Sequence, residues 1–256
     1  TTFTTTFNRG HIIQKDIFEE SPFVYVCGTP STQGVHIIDV SDPESPQEVG
    51  VYEPGYYIHD CHIRGDILYA CAFFNQTVDI IDISDKSAPQ LITTLPDPGV
   101  STHSCTTTPD QNFLFLADES DGFPGRVFDI SDLENITEVA TYTANDSSLV
   151  HNPYIRDDLV FISHNTEGLR VLDFADPNLP VEVGFYDTFD GLSGGFNGLW
   201  SACPYFPSGR IIGGDRTRGL LVWQFDGTRA GRLYGSVIDS LTGASIQLAT
   251  VVVSPL

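Results

Sequence analysis

Four histidines in this 256-residue chain occupy a repeated position at which their side chains could bind a ligand. Each opens the predicted first strand of its unit, and a fifth unit has Trp200 at the corresponding place; the four are His11, His59, His103 and His151. A neutral imidazole nitrogen is a good ligand for Zn, Cu, Fe or Ni, and carboxylate oxygens supplement it. If these positions converge, the sequence predicts a site for a divalent transition metal.

A structural role for the same histidines is the alternative. A ring N–H can donate to a backbone carbonyl of the next unit while the ring body packs between sheets. We interpret His62 and His36 as packing residues, because His62 is out of phase with His59 on an alternating strand and His36 lies on a third strand.

The elements that must position the histidines are repeats. Val-His-Ile-Ile-Asp-Val-Ser-Asp-Pro at Val35 returns in related form at Val78, Val127 and Leu169. A period of about 40 to 50 residues marks units that stack on one another. In the second unit we expect strands at His59 to Arg64, Ile67 to Phe73, Val78 to Ile83 and Gln90 to Leu95, separated by turn residues.

Such meanders arranged radially are β-propeller blades, so we predict an all-β propeller with about five blades in this chain. The fifth copy lacks a fourth strand, which the alternating segment Thr2 to Phe7 is predicted to supply. Because the first strand of a blade is innermost, the histidines should share one axial mouth. Turns between second and third strands face the same mouth and carry Asp118, Asp121, His164 and Asp215.

Other residues give weaker signals. Asp118 to Gly122 places oxygens as a Ca²⁺ loop does, but it departs from the EF-hand pattern, and a solvated loop is the alternative. Trp200 can stack a ligand or close the core. The repeated aspartates before Ser-Asp or Ala-Asp are predicted to cap turns; they are Asp39, Asp82, Asp129 and Asp173.

Five cysteines are scattered over the units without a Cys-x-x-Cys pair. Cys61 and Cys71 lie on neighbouring strands of one predicted hairpin and form the candidate disulfide. A one-residue shift in register would place them on opposite faces, where they would be small buried hydrophobes.

Composition excludes some partners. The formal net charge of -22 argues against nucleic acid and anionic membrane surfaces, which require clustered Lys and Arg. No apolar run approaches the roughly 20 residues that cross a bilayer. There is no nucleophile elbow, phosphate loop or dinucleotide fingerprint, so no catalytic residues are predicted.

The Ile-Ile-Asp-Ile-Ser-Asp segments resemble the LVIVD repeat. Tyr57-Ile-His-Asp-Cys, Ser101-Thr-His, Leu149-Val-His-Asn-Pro and the stretch from Gly194 to Gly209 resemble the choice-of-anchor B family. The resemblance implies a secreted or cell-surface propeller, often with further N-terminal repeats, and no established activity.

The two predicted domains are a propeller over residues 1–226 and a linker with the opening hairpin of a truncated β-sandwich over 227–256. The second resembles a carboxypeptidase-regulatory-like module, and the absence of Met suggests a fragment of a longer chain.

We therefore expect an extracellular binding or structural module with a protein or surface-glycan partner and a His-lined ligand or metal site. The alternative is a metal-dependent hydrolase or oxidoreductase that uses His59, His103 and His151. A third expectation is Ca²⁺ bound for stability alone.

Overall fold

The fold is an all-β propeller in a computed structural model that describes residues 6–246. Five antiparallel sheets follow one another along the chain, and within each sheet hydrogen-bonded neighbours are consecutive in sequence. The described residues contain no α-helix, and hence no helix that is long and apolar enough to cross a membrane.

Each blade begins with its innermost strand. The strands are, for the first blade, β1 (Ile12–Gln14), β2 (Phe23–Cys27), β3 (Val35–Asp39) and β4 (Gln47–Tyr52); for the second, β5 (Asp60–Arg64), β6 (Ile67–Ala72), β7 (Thr77–Asp82) and β8 (Gln90–Pro96); for the third, β9 (Thr102–Thr107), β10 (Phe113–Asp118), β11 (Gly125–Asp129) and β12 (Thr137–Tyr142); for the fourth, β13 (Asn152–Arg156), β14 (Leu159–Ser163), β15 (Leu169–Asp173) and β16 (Val181–Tyr186); and for the fifth, β17 (Leu199–Cys203), β18 (Arg210–Asp215) and β19 (Gly219–Gln224).

Apolar side chains between neighbouring blades form the core. Cys27 and Ile63 belong to a cluster that joins the first two blades, while Val78 and Leu114 belong to one that joins the second and third. Two further clusters join the third to the fourth and the fourth to the fifth blade. The middle strands are almost entirely buried because both of their faces meet another blade. This packing holds the inner strands in place.

The predicted turn caps are confirmed. The backbone N–H of Ser41 donates to Asp39 Oδ1 at 2.8 Å, and that of Ser84 donates to Asp82 Oδ1 at 2.8 Å. The equivalent contacts in the third and fourth blades are 3.0 Å to Asp129 and 3.1 Å to Asp173. The repeated aspartates are therefore structural residues of the turn after each third strand.

The fifth blade has three strands among the described residues. The predicted fourth strand, Thr2 to Phe7, lies mainly outside the described residues. The described part packs on the first blade instead, because Thr6 Oγ1 donates to Glu48 and the Phe7 ring lies 4.6 Å from the His36 ring.

The register of the second blade separates the predicted disulfide partners. Cys61 pairs with Ala70, whereas Cys71 pairs with Asp60. The one-residue offset turns the two side chains to opposite faces of the sheet, and all five cysteines are free thiols. A Cys61–Cys71 bridge is incompatible with this register.

The segment after β19 contacts the fourth blade. Arg232 Nη1 lies 2.9 Å from Asp173 Oδ1, and the Tyr234 hydroxyl donates to Asp176 at 2.6 Å. One isolated bridge joins Ile238 to Ser245 in the region of the predicted hairpin. Residues 247–256, which contain the rest of the predicted second strand, lie outside the described part.

Candidate functional site

Five aromatic rings form a row across the starts of the inner strands. Successive ring centroids are 4.4 Å apart for His11 and His59, 4.5 Å for His59 and His103, 4.4 Å for His103 and His151, and 4.6 Å for His151 and Trp200. The structure thus brings the four repeat-equivalent histidines, and the residue that replaces them in the fifth unit, to one place.

The backbone fixes the position of each ring. The N–H groups of His11, His59 and His151 donate to Cys27 O, Cys71 O and Ser163 O, at 2.9, 2.8 and 3.2 Å. Each acceptor lies at or near the end of the second strand of the same blade. The repeated backbone contact explains why residues far apart in sequence occupy equivalent places around the axis.

Glu119 adds a carboxylate to this row. Its Oε1 atom lies 3.3 Å from His151 Nε2 and 3.8 Å from His103 Nε2. Donor atoms of His59, His103 and Glu119 all lie within 4.8 Å of one another, and no other group of three such residues occurs in the described part of the chain. Two imidazoles and one carboxylate are a suitable ligand set for a divalent transition metal.

The outer nitrogens of two rings meet backbone carbonyls of the next blade. His103 Nδ1 donates to His151 O at 3.0 Å, and His151 Nδ1 lies 2.9 Å from Trp200 O. The Asn152 amide nitrogen also approaches His151 Nδ1 at 2.9 Å. The contact of His103 is the structural role that was predicted as an alternative. Because Nδ1 carries the proton, Nε2 of that ring keeps a free lone pair. Metal-binding histidines commonly make this second contact, so both predicted roles are compatible.

Burial favours the uncharged form of two of these rings, His59 and His103. Desolvation, followed by repulsion from His11, lowers the pKa of His59 to about 4. Desolvation and the neighbouring imidazoles His151 and His59 hold the pKa of His103 well below its usual range. His59 Nε2 is buried without a hydrogen-bond partner, although Tyr57 contacts its Nδ1 at 3.3 Å. Neutral imidazoles with unused nitrogens are the form that binds metal.

The two aspartates of the predicted Ca²⁺ loop have separate tasks. Asp118 Oδ2 accepts the N–H groups of Val100 and Ser101 at 2.6 and 2.8 Å. Asp121 accepts the N–H of Gly195 at 2.9 Å. Neither residue belongs to the three-donor group of the described residues.

His164 and Asp215 also lie in other environments. His164 is buried, and its Nε2 accepts the N–H of Ala144 at 3.1 Å. Asp215 Oδ1 accepts the N–H groups of Thr217 and Arg218, both at 2.8 Å, within its own turn. The turns face the expected end, but Asp215 bonds within its own turn and His164 bonds the third blade, and neither bonds the row of rings.

Trp200 is partly exposed, and its ring lies near both His151 and the guanidinium of Arg216, whose carbon is 5.3 Å from the ring centroid. The packing prediction holds for His62, which bonds Thr107 Oγ1 at 3.0 Å.

A cavity of about 390 Å³ lies among the inner strands beyond the rings. Its walls include Asp60, Ser104 and Asn152, each of which directly follows a histidine of the row. Burial raises the pKa of Asp60, while bonds from Gln14 oppose that rise. The volume is in the range that holds small molecules.

Comparison with known proteins supports the repeat and the fold. Residues 23–53, 57–96 and 154–188 match the model of the LVIVD repeat. No curated protein sequence matches this chain.

Solved structures share the fold at low sequence identity. A periplasmic gluconolactonase of Pseudomonas aeruginosa is 13% identical with a TM-score of 0.59, over 88% of this chain and 65% of that one. A putative 6-phosphogluconolactonase of Bacteroides fragilis is 14% identical with a TM-score of 0.63, over 94% and 69%. A protein of Lactobacillus plantarum is 13% identical with a TM-score of 0.62, over 89% and 67%. The chain thus spans about two thirds of the length of these structures.

Proposed function

We propose that this propeller is a binding module whose axial mouth holds one divalent transition metal, Zn, Cu, Fe or Ni, through His59, His103 and Glu119. Two observations carry the proposal: Nε2 of His59 is buried without a partner, and donor atoms of His59, His103 and Glu119 all lie within 4.8 Å of one another. An unsatisfied buried polar atom is costly, and coordination to a metal would satisfy it.

The charges around Glu119 support a cation at this position. The side chain is largely buried, and its two ion-pair contacts within the described part of the chain are both with histidines. Since burial favours neutral His103, its Nε2 lone pair faces the carboxylate across 3.8 Å. Two acceptors face each other there, and a metal ion between them would turn repulsion into two coordinate bonds.

Three protein ligands leave coordination positions for water or for a partner's donor group. His151 contacts Glu119 from the next blade at 3.3 Å and would orient the carboxylate. The bound metal therefore provides a docking point for a ligand that carries a carboxylate, an imidazole or a hydroxyl group.

The test is calorimetric titration of the chelator-treated chain with Zn²⁺. We expect about one equivalent to bind, and His103→Ala should abolish this binding. His164→Gln is the matched control, because it removes a buried histidine outside the donor group. Equal Zn²⁺ binding by wild type and His103→Ala, with both folded by circular dichroism, would overturn the proposal.

We also propose that the module works outside the cytoplasm, as a secreted or cell-surface protein of the choice-of-anchor B type followed by a carboxypeptidase-regulatory-like module, with a protein or surface-glycan partner. The LVIVD repeats, the likeness to a periplasmic protein and the net charge of -22 support this location. Antibody labelling of intact source cells tests it. Labelling only after permeabilisation of those cells would contradict it.

A metal-dependent hydrolase is the second candidate, favoured by the cavity of about 390 Å³ next to the rings and by the fold shared with the gluconolactonase and the putative 6-phosphogluconolactonase. A metal at the mouth would lower the pKa of a bound water and supply a nucleophile. Gluconolactone is the probe. Metal-dependent hydrolysis that His59→Ala abolishes would establish the enzyme. Metal binding without hydrolysis would instead support the binding module over the hydrolase.

A further inference from the structure

Cys61 and Cys71 face different neighbouring blades. Their offset register turns Cys61 into the core between the first and second blades and Cys71 into the core between the second and third. Each cysteine therefore meets residues of another blade rather than its neighbour in the hairpin.

Each of them meets a cysteine there. The Sγ atoms of Cys27 and Cys61 lie 3.1 Å apart across the first interface. Cys71 and Cys105 lie in one buried cluster across the second interface, and burial, followed by interaction with Cys105, raises the pKa of Cys71. All four side chains are buried, with at most 5% exposure.

The two pairs are copies of one contact. Cys71 and Cys105 lie 44 positions after Cys27 and Cys61, respectively, and the second strands of the first two blades start with the same offset, at Phe23 and Ile67. In both pairs one cysteine comes from a second strand and the other from the innermost strand of the next blade. The repeat thus places a pair of cysteines on equivalent strands at both interfaces.

The later interfaces show that packing does not require thiols. The equivalent positions are Ala117 and Pro153 between the third and fourth blades, and Ser163 and Ala202 between the fourth and fifth. Small residues of several kinds fill this place in the fold. Paired cysteines occur only at the first two of these four interfaces.

We propose that Cys27–Cys61 and Cys71–Cys105 are modification sites at which two disulfides link the first three blades. An S–S bond is about 2.05 Å long, so the first pair needs to close by only about 1 Å, which side-chain rotation can provide. The proposal is independent of metal binding.

The chemistry is thiol–disulfide exchange with an oxidised small-molecule or protein disulfide. For each bond, the two cysteine thiols give up two protons and two electrons, and the acceptor disulfide is reduced to two thiols. Burial raises the pKa of Cys27, Cys61 and Cys71, which disfavours the reactive thiolate in the folded chain. The bonds therefore form while the blades assemble.

The test is to refold the full chain in oxidised and reduced glutathione, alkylate the remaining thiols, digest the protein and identify linked peptides by mass spectrometry. We expect Cys27 linked to Cys61, Cys71 linked to Cys105, and Cys203 alkylated, since Cys203 is exposed and outside both pairs. Alkylation of all five cysteines, or a Cys61–Cys71 link, would overturn the proposal.

Variants separate the bonds from general effects of oxidation. The oxidised wild type should melt at least about 5 °C above the reduced form, because cross-links restrict the unfolded chain. Cys105→Ala should retain the Cys27–Cys61 link and lose the other. Cys203→Ser is the control and should retain both links and the full shift in melting temperature; loss of both links in this control would contradict the assignment.

Discussion

At the scale of residues, a single histidine side chain is placed for two tasks at the axial mouth, one structural and one in the proposed metal site. Nδ1 of His103 holds a carbonyl of the next blade, and its Nε2 points toward Glu119. The first contact fixes the ring orientation and the tautomer, which prepares the second nitrogen for coordination. The structural and the metal-binding interpretations are therefore compatible for His103.

Glu119→Gln should weaken Zn²⁺ binding at least about 10-fold while the protein remains folded. The amide has nearly the same shape as the carboxylate, but it lacks the negative charge and is a poorer ligand. Titration calorimetry beside thermal unfolding measures both effects. Asp121→Asn is the control, because this loop carboxylate bonds Gly195 instead; unchanged Zn²⁺ affinity in Glu119→Gln would contradict the ligand assignment.

His164 provides a pH-dependent test at a site outside the metal group. Desolvation lowers its pKa from 6.5 to about 4. Between these values the unfolded chain binds a proton that the folded chain does not, so the free energy of unfolding falls as the pH falls. When the pH falls from about 7 to about 5, this one group lowers the free energy of unfolding by about 2 kcal/mol.

His164→Gln should remove that part of the pH dependence, since a glutamine oxygen can still accept the N–H of Ala144. Urea unfolding of the metal-free wild type and variant at both pH values measures the difference. Parallel losses of stability in the two proteins would show that His164 does not titrate in this way.

The sequence predicted the row of histidines because repeat-equivalent positions must converge when equivalent blades surround one axis. It did not predict Glu119 as a ligand, although the residue lies in the acidic turn of the third unit that was expected at the mouth. Which of several neighbouring turn carboxylates points inward depends on loop conformation, and that leaves no periodic signal. For the same reason His164 was expected at the mouth but bonds the third blade.

At the scale of elements, the strands of the second blade agree with prediction to about one residue. Alternating β-branched residues and intervening turn residues determine such boundaries. The register of paired strands is harder to predict from sequence, because a shift of one residue decides whether Cys61 and Cys71 lie on the same face of the sheet or on opposite faces. The pairing of cysteines could not be predicted for this reason.

A recurrent irregularity also escaped prediction. The pairing of the third and fourth strands shifts register once in each four-stranded blade, for example between Ile37 and Ile38 opposite Gly50. A bulge of this kind bends the outer strand against the next blade. A Cβ at Gly50 would lie 1.9 Å from the carbonyl oxygen of Lys86 in the second blade.

Gly50→Ala should therefore destabilise the fold by about 1–3 kcal/mol, because the obstructing atom belongs to the backbone and cannot move cheaply. The denaturant midpoint measures the effect. Gly231→Ala is the matched control, since a Cβ there meets nothing within 4 Å. Equal midpoints for the two variants would mean that the blades separate easily at this contact.

At the scale of the whole molecule, the chain carries 34 acidic and 12 basic residues. Like charges repel one another more in a compact state than in an extended chain, and salt screens this repulsion. The melting temperature should rise when NaCl increases from about 0.01 M to about 0.5 M. Differential scanning calorimetry measures the shift, and a lower melting temperature at high salt would show that favourable ion pairs outweigh the net repulsion.

The architecture connects the three scales, because stacked blades bring the inner strands together and the inner strands bring the donor atoms together. The central claim is that these atoms form one metal site. An anomalous difference map from crystals soaked in Zn²⁺, recorded at the zinc absorption edge, tests it most directly. The account predicts a peak between His59 Nε2, His103 Nε2 and the Glu119 carboxylate, whereas peaks confined to the acidic loops, with none at the row of rings, would contradict it.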